Sequence, residues 1–467
     1  MKKTLLTPIL LVFIIFSGNA QTTFGPKQTI NANTGNDPYA IATGLIDGDA
    51  YADIITGTTL TNQLVWYKNN ADGTFTAQTN IANSIDYVGF INLVDLNNDG
   101  FLDVLVTAYT SNSLTWYAND GAGNFGTEQL IGTLTGASGL ATGDIDGDGT
   151  IDVVATSFEG DSVMWFANNG MGSFGSVNIL DNTLTAPATV NLQDIDNDGD
   201  LDAVVPTALG SGNVDVIHIF RNDLIPGGTA SFIKDATPVA TGKNYFVNAI
   251  FKDVDGDNDY DVLATELNTS AGTGHLYWYE NTGTGFTENE IATSVGNPST
   301  VLFEDLDGDG LNDIVLSSGS PGSGNDIVWF KNNGGGLFGS EVVIDATQSN
   351  TYVMSIADFD NDTDLDIASL AYNQDDLNWF ENQLIVLSTP SVSMRNLNIY
   401  PNPVNERLNF KGTFGVDLNV SVTDMVGKQV MASSISEGGT LDVSPLNAGL
   451  YILRIENSNT IYRFIKN

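Results

Sequence analysis

Cysteine is absent from this 467-residue sequence, and histidine is nearly so. A chain without cysteine cannot be stapled by disulfides, so its stability must come from a large core, from bound metal, or from both. His218 and His275 are the only histidines, and each lies inside a predicted strand. No zinc-ligand pair, G-x-S-x-G elbow or phosphate-binding loop appears. The sequence therefore contains no recognisable catalytic motif.

Basic residues are also scarce. Lysine and arginine together number 16 against 57 aspartates and glutamates, which gives a formal net charge of −41. Such an acidic surface repels phosphate backbones and anionic lipid headgroups. The composition therefore predicts no nucleic-acid partner.

Long apolar runs are limited to one place near the N-terminus. Lys2 and Lys3 precede an apolar run at residues 5–16, and the small residues 18–20 follow it. A charged start, an apolar run and a small-residue cleavage site are typical of a secretory signal, and this run is shorter than the about 20 residues that a membrane span needs. The sequence predicts a signal peptide at 1–20, export, and no transmembrane segment.

What the sequence has in abundance is aspartate, arranged in a recurring nine-residue loop. In residues 144–152, aspartates occupy positions 1, 3, 5 and 9 and a glycine occupies position 6. Ca²⁺ prefers six to eight oxygen ligands, and alternating aspartates on a tightly curled loop can converge on one such ion. A β-branched run, 151–156, follows directly and predicts a strand. The pattern indicates a cation-binding loop between two strands.

The loop occurs seven times with a period close to 50 residues, which is the mark of a repeat architecture. The copies, here called aspartate loops 1 to 7, begin at Leu45, Asp95, Asp144, Asp194, Asp253, Asp305 and Asp358. The candidate metal ligands are Asp47, Asp49 and Asp53 in loop 1; Asp95, Asn97, Asp99 and Asp103 in loop 2; Asp144, Asp146, Asp148 and Asp152 in loop 3; Asp194, Asp196, Asp198 and Asp202 in loop 4; Asp253, Asp255, Asp257 and Asp261 in loop 5; Asp305, Asp307, Asp309 and Asp313 in loop 6; and Asp358, Asp360, Asp362 and Asp366 in loop 7.

Each loop is followed by a buried strand, by an aromatic strand that ends in Trp-aromatic-x-Asn in six of the seven repeats, and by a strand that opens with phenylalanine. Four short strands per unit describe one blade of a β-propeller. The last repeat lacks its phenylalanine strand, and residues 24–30 match that missing piece. We therefore predict an all-β fold, a seven-bladed propeller at 21–387 whose N-terminal strand closes the last blade. A linker at 388–396 leads to a small β-sandwich at 397–467.

The repeats resemble the FG-GAP/VCBS family, whose calcium-loop blades also occur in integrin α-subunit propellers. The resemblance implies that side chains at positions 1, 3, 5 and 9 and a backbone carbonyl at position 7 hold Ca²⁺, with up to seven ions in the chain. Leu45 replaces the first ligand of loop 1, Asn258 replaces the position-6 glycine of loop 5, and Thr363 replaces that of loop 7.

The C-terminal segment resembles the type A sorting domain of the type IX secretion system of Bacteroidota. The matching pieces are residues 399–403, 424–428 and 448–455, with Lys466 as the closing basic residue. The resemblance implies that 397–467 is an address read by the type IX secretion machinery, and that the protein is secreted or displayed on the outer-membrane surface.

Four tyrosines suggest a ligand site at the end of the propeller away from the loops. Tyr39 and Tyr352 lie six residues before position 1 of their loops, and Tyr87 and Tyr245 lie eight before. Such a ring could stack on sugars or peptide side chains, or could simply cap blade packing at a wet edge. We expect a calcium-binding propeller used for adhesion or for recognition of an extracellular glycan or protein. The alternative is a polysaccharide-active enzyme, a lyase or a hydrolase, on the same propeller.

Overall fold

The computed structural model describes residues 24–209, 214–224, 229–268, 273–319, 326–384, 395–413, 418–423, 428–436, 438–455 and 461–467. These residues divide into two compact units, within Ala20–Ile385 and Val386–Asn467. Every regular element in them is a β-strand, which confirms the all-β class. No helix in the described ranges is long and apolar enough to cross a membrane. The predicted signal peptide, and the linker up to Met394, lie outside the described residues.

The first unit is built from small antiparallel sheets, seven of them among its described residues. Strand β1 (Gln28–Asn31) is the first strand among the described residues. The remaining strands are β2 (Pro38–Gly44), β3 (Asp53–Thr58), β4 (Leu64–Asn69) and β5 (Phe75–Ala77) in blade 1; β6 (Val88–Val94), β7 (Asp103–Ala108), β8 (Ser113–Tyr117) and β9 (Gln129–Thr133) in blade 2; β10 (Ala137–Gly143), β11 (Asp152–Ser157), β12 (Ser162–Phe166) and β13 (Asn178–Asp181) in blade 3; β14 (Asn191–Gln193), β15 (Asp202–Pro206), β16 (Asp215–Asn222), β17 (Phe232–Lys234) and β18 (Ala240–Lys243) in blade 4; β19 (Phe246–Lys252), β20 (Asp261–Asn268), β21 (Thr273–Asn281) and β22 (Phe286–Val295) in blade 5; β23 (Pro298–Glu304), β24 (Asp313–Ser318), β25 (Ile327–Phe330) and β26 (Val342–Asp345) in blade 6; and β27 (Val353–Ala357), β28 (Asp366–Ala371) and β29 (Asp376–Phe380) in blade 7.

The N-terminal strand completes blade 7. The sheet order there is β27-β28-β29-β1, and Gln28 pairs with Trp379 in an antiparallel register. Phe24 adds a bridge to Asn382. The N-terminal strand therefore supplies the fourth and outermost strand of that blade.

The first strands of successive blades lie side by side in a closed ring: β2, β6, β10, β14, β19, β23, β27 and β2 again. Apolar clusters fill the space between each pair of neighbouring blades, so the core lies between sheets. Trp66 of blade 1, for example, packs in one cluster with Val88 and Val104 of blade 2. Gly123 of blade 2 lies against the Trp66 ring, because a Cβ there would come within 2.1 Å of it. The tryptophan side chains of the aromatic strands therefore pack between neighbouring blades.

The second unit contains two sheets among its described residues. Its strands are β30 (Arg395–Tyr400), β31 (Arg407–Thr413), β32 (Leu418–Thr423), β33 (Gln429–Ile435), β34 (Thr440–Asp442), β35 (Gly449–Ile455) and β36 (Ile461–Lys466). The sheets run β30-β31-β34 and β33-β32-β35-β36. One apolar cluster contains residues of both, including Phe410 and Leu441 from the first and Val420, Leu453 and Phe464 from the second. In β35, for example, the alternate residues Tyr451, Leu453 and Ile455 are the buried ones.

Candidate metal loops and the tyrosine-lined mouth

Each aspartate loop joins the innermost strand of its blade to the second strand. In blade 3, β10 ends at Gly143 and β11 begins at Asp152, so positions 1 to 8 form the connection and position 9 opens the next strand. The same arrangement recurs in every blade. Because the innermost strands lie side by side, the loops gather at one end of the propeller.

A hydrogen-bond network internal to the loop curls it. In loop 3, the Gly149 N–H donates to the Asp144 carboxylate at 3.0 Å, and the Asp148 N–H donates to Asp146 at 3.2 Å. The backbone is left-handed at positions 4 and 6, with φ of 73° at Gly147 and 88° at Gly149. Glycine takes such values without a steric penalty, which explains why positions 4 and 6 are so often Gly or Asn. The requirement at position 4 was not recognised from the sequence.

The two predicted departures at position 6 still form the turn. Asn258 of loop 5 has φ of 74°, a conformation that asparagine tolerates. Thr363 of loop 7 has φ of 85°, which is unfavourable for a β-branched residue. Its N–H nevertheless donates to Asp358 at 3.0 Å, as the glycines do in other loops. Loop 7 therefore has the common geometry at the cost of local backbone strain.

Five loops place three carboxylates close enough to share one ion. One oxygen from each of positions 1, 3 and 9 lies within 4.8 Å of the others. These sets are Asp144, Asp146 and Asp152; Asp194, Asp196 and Asp202; Asp253, Asp255 and Asp261; Asp305, Asp307 and Asp313; and Asp358, Asp360 and Asp366.

The position-5 aspartates lie outside these sets and accept a hydrogen bond from the N–H of position 7. The bonds run from Tyr51 to Asp49, Phe101 to Asp99, Thr150 to Asp148, Asp200 to Asp198, Asp259 to Asp257, Leu311 to Asp309 and Asp364 to Asp362. Each position-5 carboxylate therefore helps to hold the shape of its loop, and it also remains available as a ligand near the candidate metal site.

The loops fit a hard cation, judged by carboxylate oxygens that have no hydrogen-bond partner. One oxygen each of Asp144, Asp307 and Asp360 is buried in this state, and the Asp307 side chain is only 1% exposed. An anionic oxygen that is buried without a partner costs stability. A Ca²⁺ ion held by positions 1, 3 and 9 would remove that cost by supplying the missing charge.

The position-9 carboxyls are the most buried of the set, and burial raises their pKa. The pKa is about 6 for Asp53, Asp103, Asp152, Asp261 and Asp313, and about 7 for Asp202 and Asp366. Two backbone donors oppose the shift. In loop 3 these are the N–H groups of Asn168 (2.8 Å) and Ile145 (3.1 Å), both on Asp152.

Loops 1 and 2 differ from the other five. In loop 1, Leu45 stands at position 1 and is 51% exposed, and the Lys68 ammonium bonds both Asp47 and Asp49. In loop 2, Asn97 supplies an amide oxygen where the others have a carboxylate. The usual internal bonds are kept there, including those from Gly100 and Asp99 to Asp95.

The asparagine of the Trp-aromatic-x-Asn motif links its own blade to the preceding aspartate loop by a hydrogen bond. The sequence analysis did not predict this role. The Asn168 side-chain amide donates to the carbonyl of Leu96, position 2 of the preceding loop, at 2.8 Å. Five such bonds link blades, from Asn69 to Phe359, Asn119 to Ile46, Asn168 to Leu96, Asn222 to Ile145 and Asn382 to Leu306. The occurrence of asparagine in all seven copies was the available signal.

The four predicted tyrosines meet at the opposite end of the innermost strands. Tyr39, Tyr87, Tyr245 and Tyr352 all line one cavity of about 750 Å³, to which all seven blades contribute residues. We call this cavity the mouth. Tyr39 lies near the start of β2 and loop 1 follows the end of that strand, so about 20 Å of extended chain separates the mouth from the loop.

The mouth contains more aromatic rings than the sequence analysis identified. Tyr109, Phe158 and Tyr372 also line it. Successive ring centroids lie 5.3–6.2 Å apart along Tyr372, Tyr352, Tyr39, Tyr87, Tyr109 and Phe158, which form an arc from blade 7 to blade 3. The three additional residues each lie 14 positions after the start of their aspartate loop. That constant spacing could have revealed them.

The described lining of the mouth holds no charged side chain. Burial is the main cause of a raised pKa at its tyrosines. Neighbouring tyrosine hydroxyls add to the effect on the pKa of Tyr39 and Tyr87, and the Glu159 carboxylate adds to it at Tyr109. Burial raises the pKa of Tyr87 to about 12 and raises that of Tyr39 further. At neutral pH the rings are therefore neutral, and their hydroxyls remain hydrogen-bond donors.

Two of the mouth tyrosines have a strained backbone. Tyr87 has φ of 61° and Tyr245 has φ of 55°. The equivalent position is left-handed in every blade, where the other occupants are Asp37, Gly136, Ala186, Asn297 and Asn350. Glycine or asparagine suits this backbone better than tyrosine does, so the two tyrosines cost stability where they stand.

Comparison with protein families gives two matches. The FG-GAP-like repeat matches five times, at residues 46–106, 95–155, 144–205, 253–316 and 305–369, which together cover more than half of the chain. The secretion system C-terminal sorting domain matches residues 398–467. No curated protein matches the sequence.

Solved structures of similar shape include a lectin and a propeller. An Agrocybe aegerita lectin, described as recognising non-reducing terminal N-acetylglucosamine, has a TM-score of 0.47 and 17% identity, over 67% of this chain and 81% of its own. The Dos1 propeller has a TM-score of 0.48 and 10% identity, over 77% of this chain and 95% of its own. Neither likeness extends to function.

Proposed function

Because the chain belongs to the family of FG-GAP-like repeat proteins, we propose that it is an extracellular recognition protein. In this proposal its aspartate loops hold calcium and its mouth binds a glycan or protein ligand. The sorting domain indicates secretion or attachment at the outer-membrane surface, and implies contact with the secretion machinery. At the calcium concentrations outside cells, even weak loop sites would be filled.

The observation that carries the recognition role is the arc of neutral aromatic rings in a cavity of about 750 Å³. Ligand sites are typically concave, largely apolar and about 300–1,000 Å³ in volume. Sugar rings and apolar peptide side chains stack on such aromatic faces, and the tyrosine hydroxyls would supply hydrogen bonds. The strain at Tyr87 and Tyr245 supports the same reading, because strained residues concentrate at functional sites.

The same cavity favours binding over catalysis. A hydrolase needs paired carboxylates, and the described lining has no charged residue at all. A lyase could use a tyrosine base, but such a base works best with a pKa near the operating pH. Burial moves the tyrosine pKa values in the opposite direction, to about 12 for Tyr87. The enzyme alternative therefore has less support in the mouth than recognition has.

Glycan-array binding by the purified protein tests this function. We expect retention of a defined set of neutral glycans, lost in the double variant Tyr87→Gly/Tyr245→Gly. Tyr51→Ala is the matched control, because Tyr51 lies in aspartate loop 1 at the other end of the blade. Binding that survives the double variant would remove the mouth from consideration. Appearance of an unsaturated sugar product would instead favour the lyase.

A further inference from the structure

One position in each blade faces its aspartate loop from the neighbouring strand. This position is the x of Trp-aromatic-x-Asn, and we call it the cross-strand slot. In blade 1, Ile54 pairs with Tyr67, so the next residue pair along the ladder places Lys68 opposite Asp53, position 9 of the loop. Residues directly opposite each other in antiparallel strands project to the same face of the sheet. The slot side chain can therefore reach the carboxylates of its own loop.

The seven blades fill this slot with residues of different charge. The register is the same in each blade, so each occupant lies opposite position 9. From blade 1 to blade 7 the occupants are Lys68, Ala118, Ala167, Arg221, Glu280, Lys331 and Glu381.

The cationic occupants bond the residues that would hold the metal. Lys331 bonds Asp307 and also Asp309, the latter at 2.8 Å, within loop 6. Lys68 bonds Asp47 and Asp49 within loop 1 in the same way.

Arg221 makes the corresponding contacts in loop 4. Its guanidinium lies 3.4 Å from Asp196 and 3.6 Å from Asp202, positions 3 and 9. It also lies 3.5 Å from Asp235 outside the loop. In blades 1, 4 and 6 the chain thus supplies its own cation beside the carboxylates.

The anionic occupants of the slot add negative charge beside their loops instead of a cation. Loops 5 and 7 each contain five aspartates, and Glu280 and Glu381 add a further carboxylate beside them. Loops 2 and 3 have Ala118 and Ala167 in the slot, which add no charge beside the carboxylates.

We propose that the cross-strand slot decides which aspartate loops bind calcium: loops 2, 3, 5 and 7 take the ion, whereas the slot cation weakens loops 4 and 6 and replaces the ion in loop 1. This inference rests on the proposed calcium binding. A divalent ion entering loop 4 or 6 must displace an ammonium or guanidinium group and lose the ion pairs it makes. Two cations within a few ångströms repel each other strongly, so both cannot be held by the same carboxylates. Loop 1 additionally lacks its position-1 ligand, because Leu45 stands there.

Calcium stoichiometry of the purified protein, measured by titration calorimetry and native mass spectrometry, tests this assignment. We expect four tight sites in the unmodified protein. Lys331→Ala should give five, through an affinity gain at loop 6 of at least about tenfold for one fewer competing charge nearby. Glu381→Lys should reduce the number to three.

Lys68→Ala is the matched control. It removes the same charge as Lys331→Ala, but it should leave the number at four because loop 1 still lacks a ligand at position 1. Terbium luminescence excited through tryptophan provides a second measurement: Lys331→Ala should add a signal that is lost again in Lys331→Ala/Trp329→Phe. Melting temperatures in calcium show whether each variant is folded.

Two results would overturn the inference. One is seven sites of equal affinity in the unmodified protein, and the other is an unchanged number and affinity in Lys331→Ala. Both outcomes would leave calcium binding itself intact. A protein that binds no calcium in any variant would instead overturn the calcium part of the proposed function.

Discussion

The two ends of the innermost strands follow opposite rules. At the loop end, the backbone N–H of the motif asparagine donates to position 9 in every blade, and loops 2 to 7 repeat the same turn with nearly the same carboxylates. At the mouth, equivalent positions differ from blade to blade: Tyr87 and Tyr245 occur where other blades have Gly136 or Asn297. Repetition at one end suits a structural task that every blade shares, and variation at the other suits recognition of one asymmetric ligand.

The two ends also differ in how well their residues suit a left-handed backbone. Glycine and asparagine relieve the left-handed backbone in most loops, whereas tyrosine is retained in a left-handed backbone at the mouth. Loss of stability at a ligand site is expected where function needs a side chain that folding does not favour. The loop end should therefore dominate stability measurements, and the mouth should dominate binding measurements.

Calcium removal should have the largest effect. Each ion bound at a hundredfold excess over its Kd stabilises the folded state by about 2.7 kcal/mol. Removal of several ions should therefore lower the melting temperature by roughly 10 °C or more. Calorimetry in calcium and in excess EDTA measures this. Ligand binding at the mouth should persist in EDTA at temperatures well below the transition. An unchanged melting temperature would contradict the metal assignment.

The pH dependence of the metal-free protein should have an unusual sign. Burial raises the pKa of Asp202 and Asp366 to about 7, above the ordinary value of 3.8. A carboxyl with a raised folded-state pKa contributes most stability when protonated, and that contribution is lost as pH rises through the folded pKa. In EDTA the melting temperature should therefore rise when the pH falls from about 7.5 to 5.5. Calcium-loaded protein should show a flat or opposite trend, because protons compete with the ion. The same trend in both states would contradict the role of these carboxyls.

Asn168→Ala should have the next largest effect. It removes side-chain bonds to Leu96 of the preceding blade and to Ile151 of its own, and leaves buried carbonyls without partners. The expected loss is about 1–3 kcal/mol in the free energy of unfolding. Asn281→Ala is the control, since the Asn281 side-chain amide donates to the carbonyl of Tyr260 in its own blade at 3.2 Å. Equal losses in the two variants, measured by denaturant unfolding, would show that the inter-blade bond adds nothing.

Tyr87→Gly should have the smallest effect on stability and a large one on binding. The substitution relieves the left-handed strain but deletes a half-buried ring, so the free energy of unfolding should change by no more than about 1 kcal/mol. Ligand binding should be lost. A ring that only capped the blade would give the opposite result, a clear destabilisation with binding retained.

The sequence revealed the repeated elements well because repetition multiplies a weak signal. A single aspartate loop is ambiguous, but seven at a period near 50 residues predicted the propeller, and the match of 24–30 to the missing strand predicted the pairing seen between β1 and β29. The carboxylates at positions 1, 3 and 9 of loops 3 to 7 lie close together, whereas those at position 5, which the sequence analysis also named, lie outside these sets. Local spacing carries this information because position 9 always opens a strand.

Other features depend on contacts between distant parts of the chain, and the sequence did not reveal them. The bond from Asn168 to Leu96 spans 72 residues. The aromatic arc joins Tyr372 of the last blade to Tyr39 of the first, which become neighbours only when the ring closes. The ion pairs of Lys68 and Lys331 depend on cross-strand register, which residue counts alone do not supply.

Hydrogen exchange at the two ends of blade 3 tests the account most directly. The Ile145 and Gly149 amides donate to loop carboxylates, whereas the Phe158 amide, near the mouth, donates to Gly136. We predict that calcium removal accelerates exchange at Ile145 and Gly149 far more than at Phe158. Equal acceleration at both ends, or none at the loop, would contradict the claim that metal clamps one face of the propeller and leaves the other free to bind.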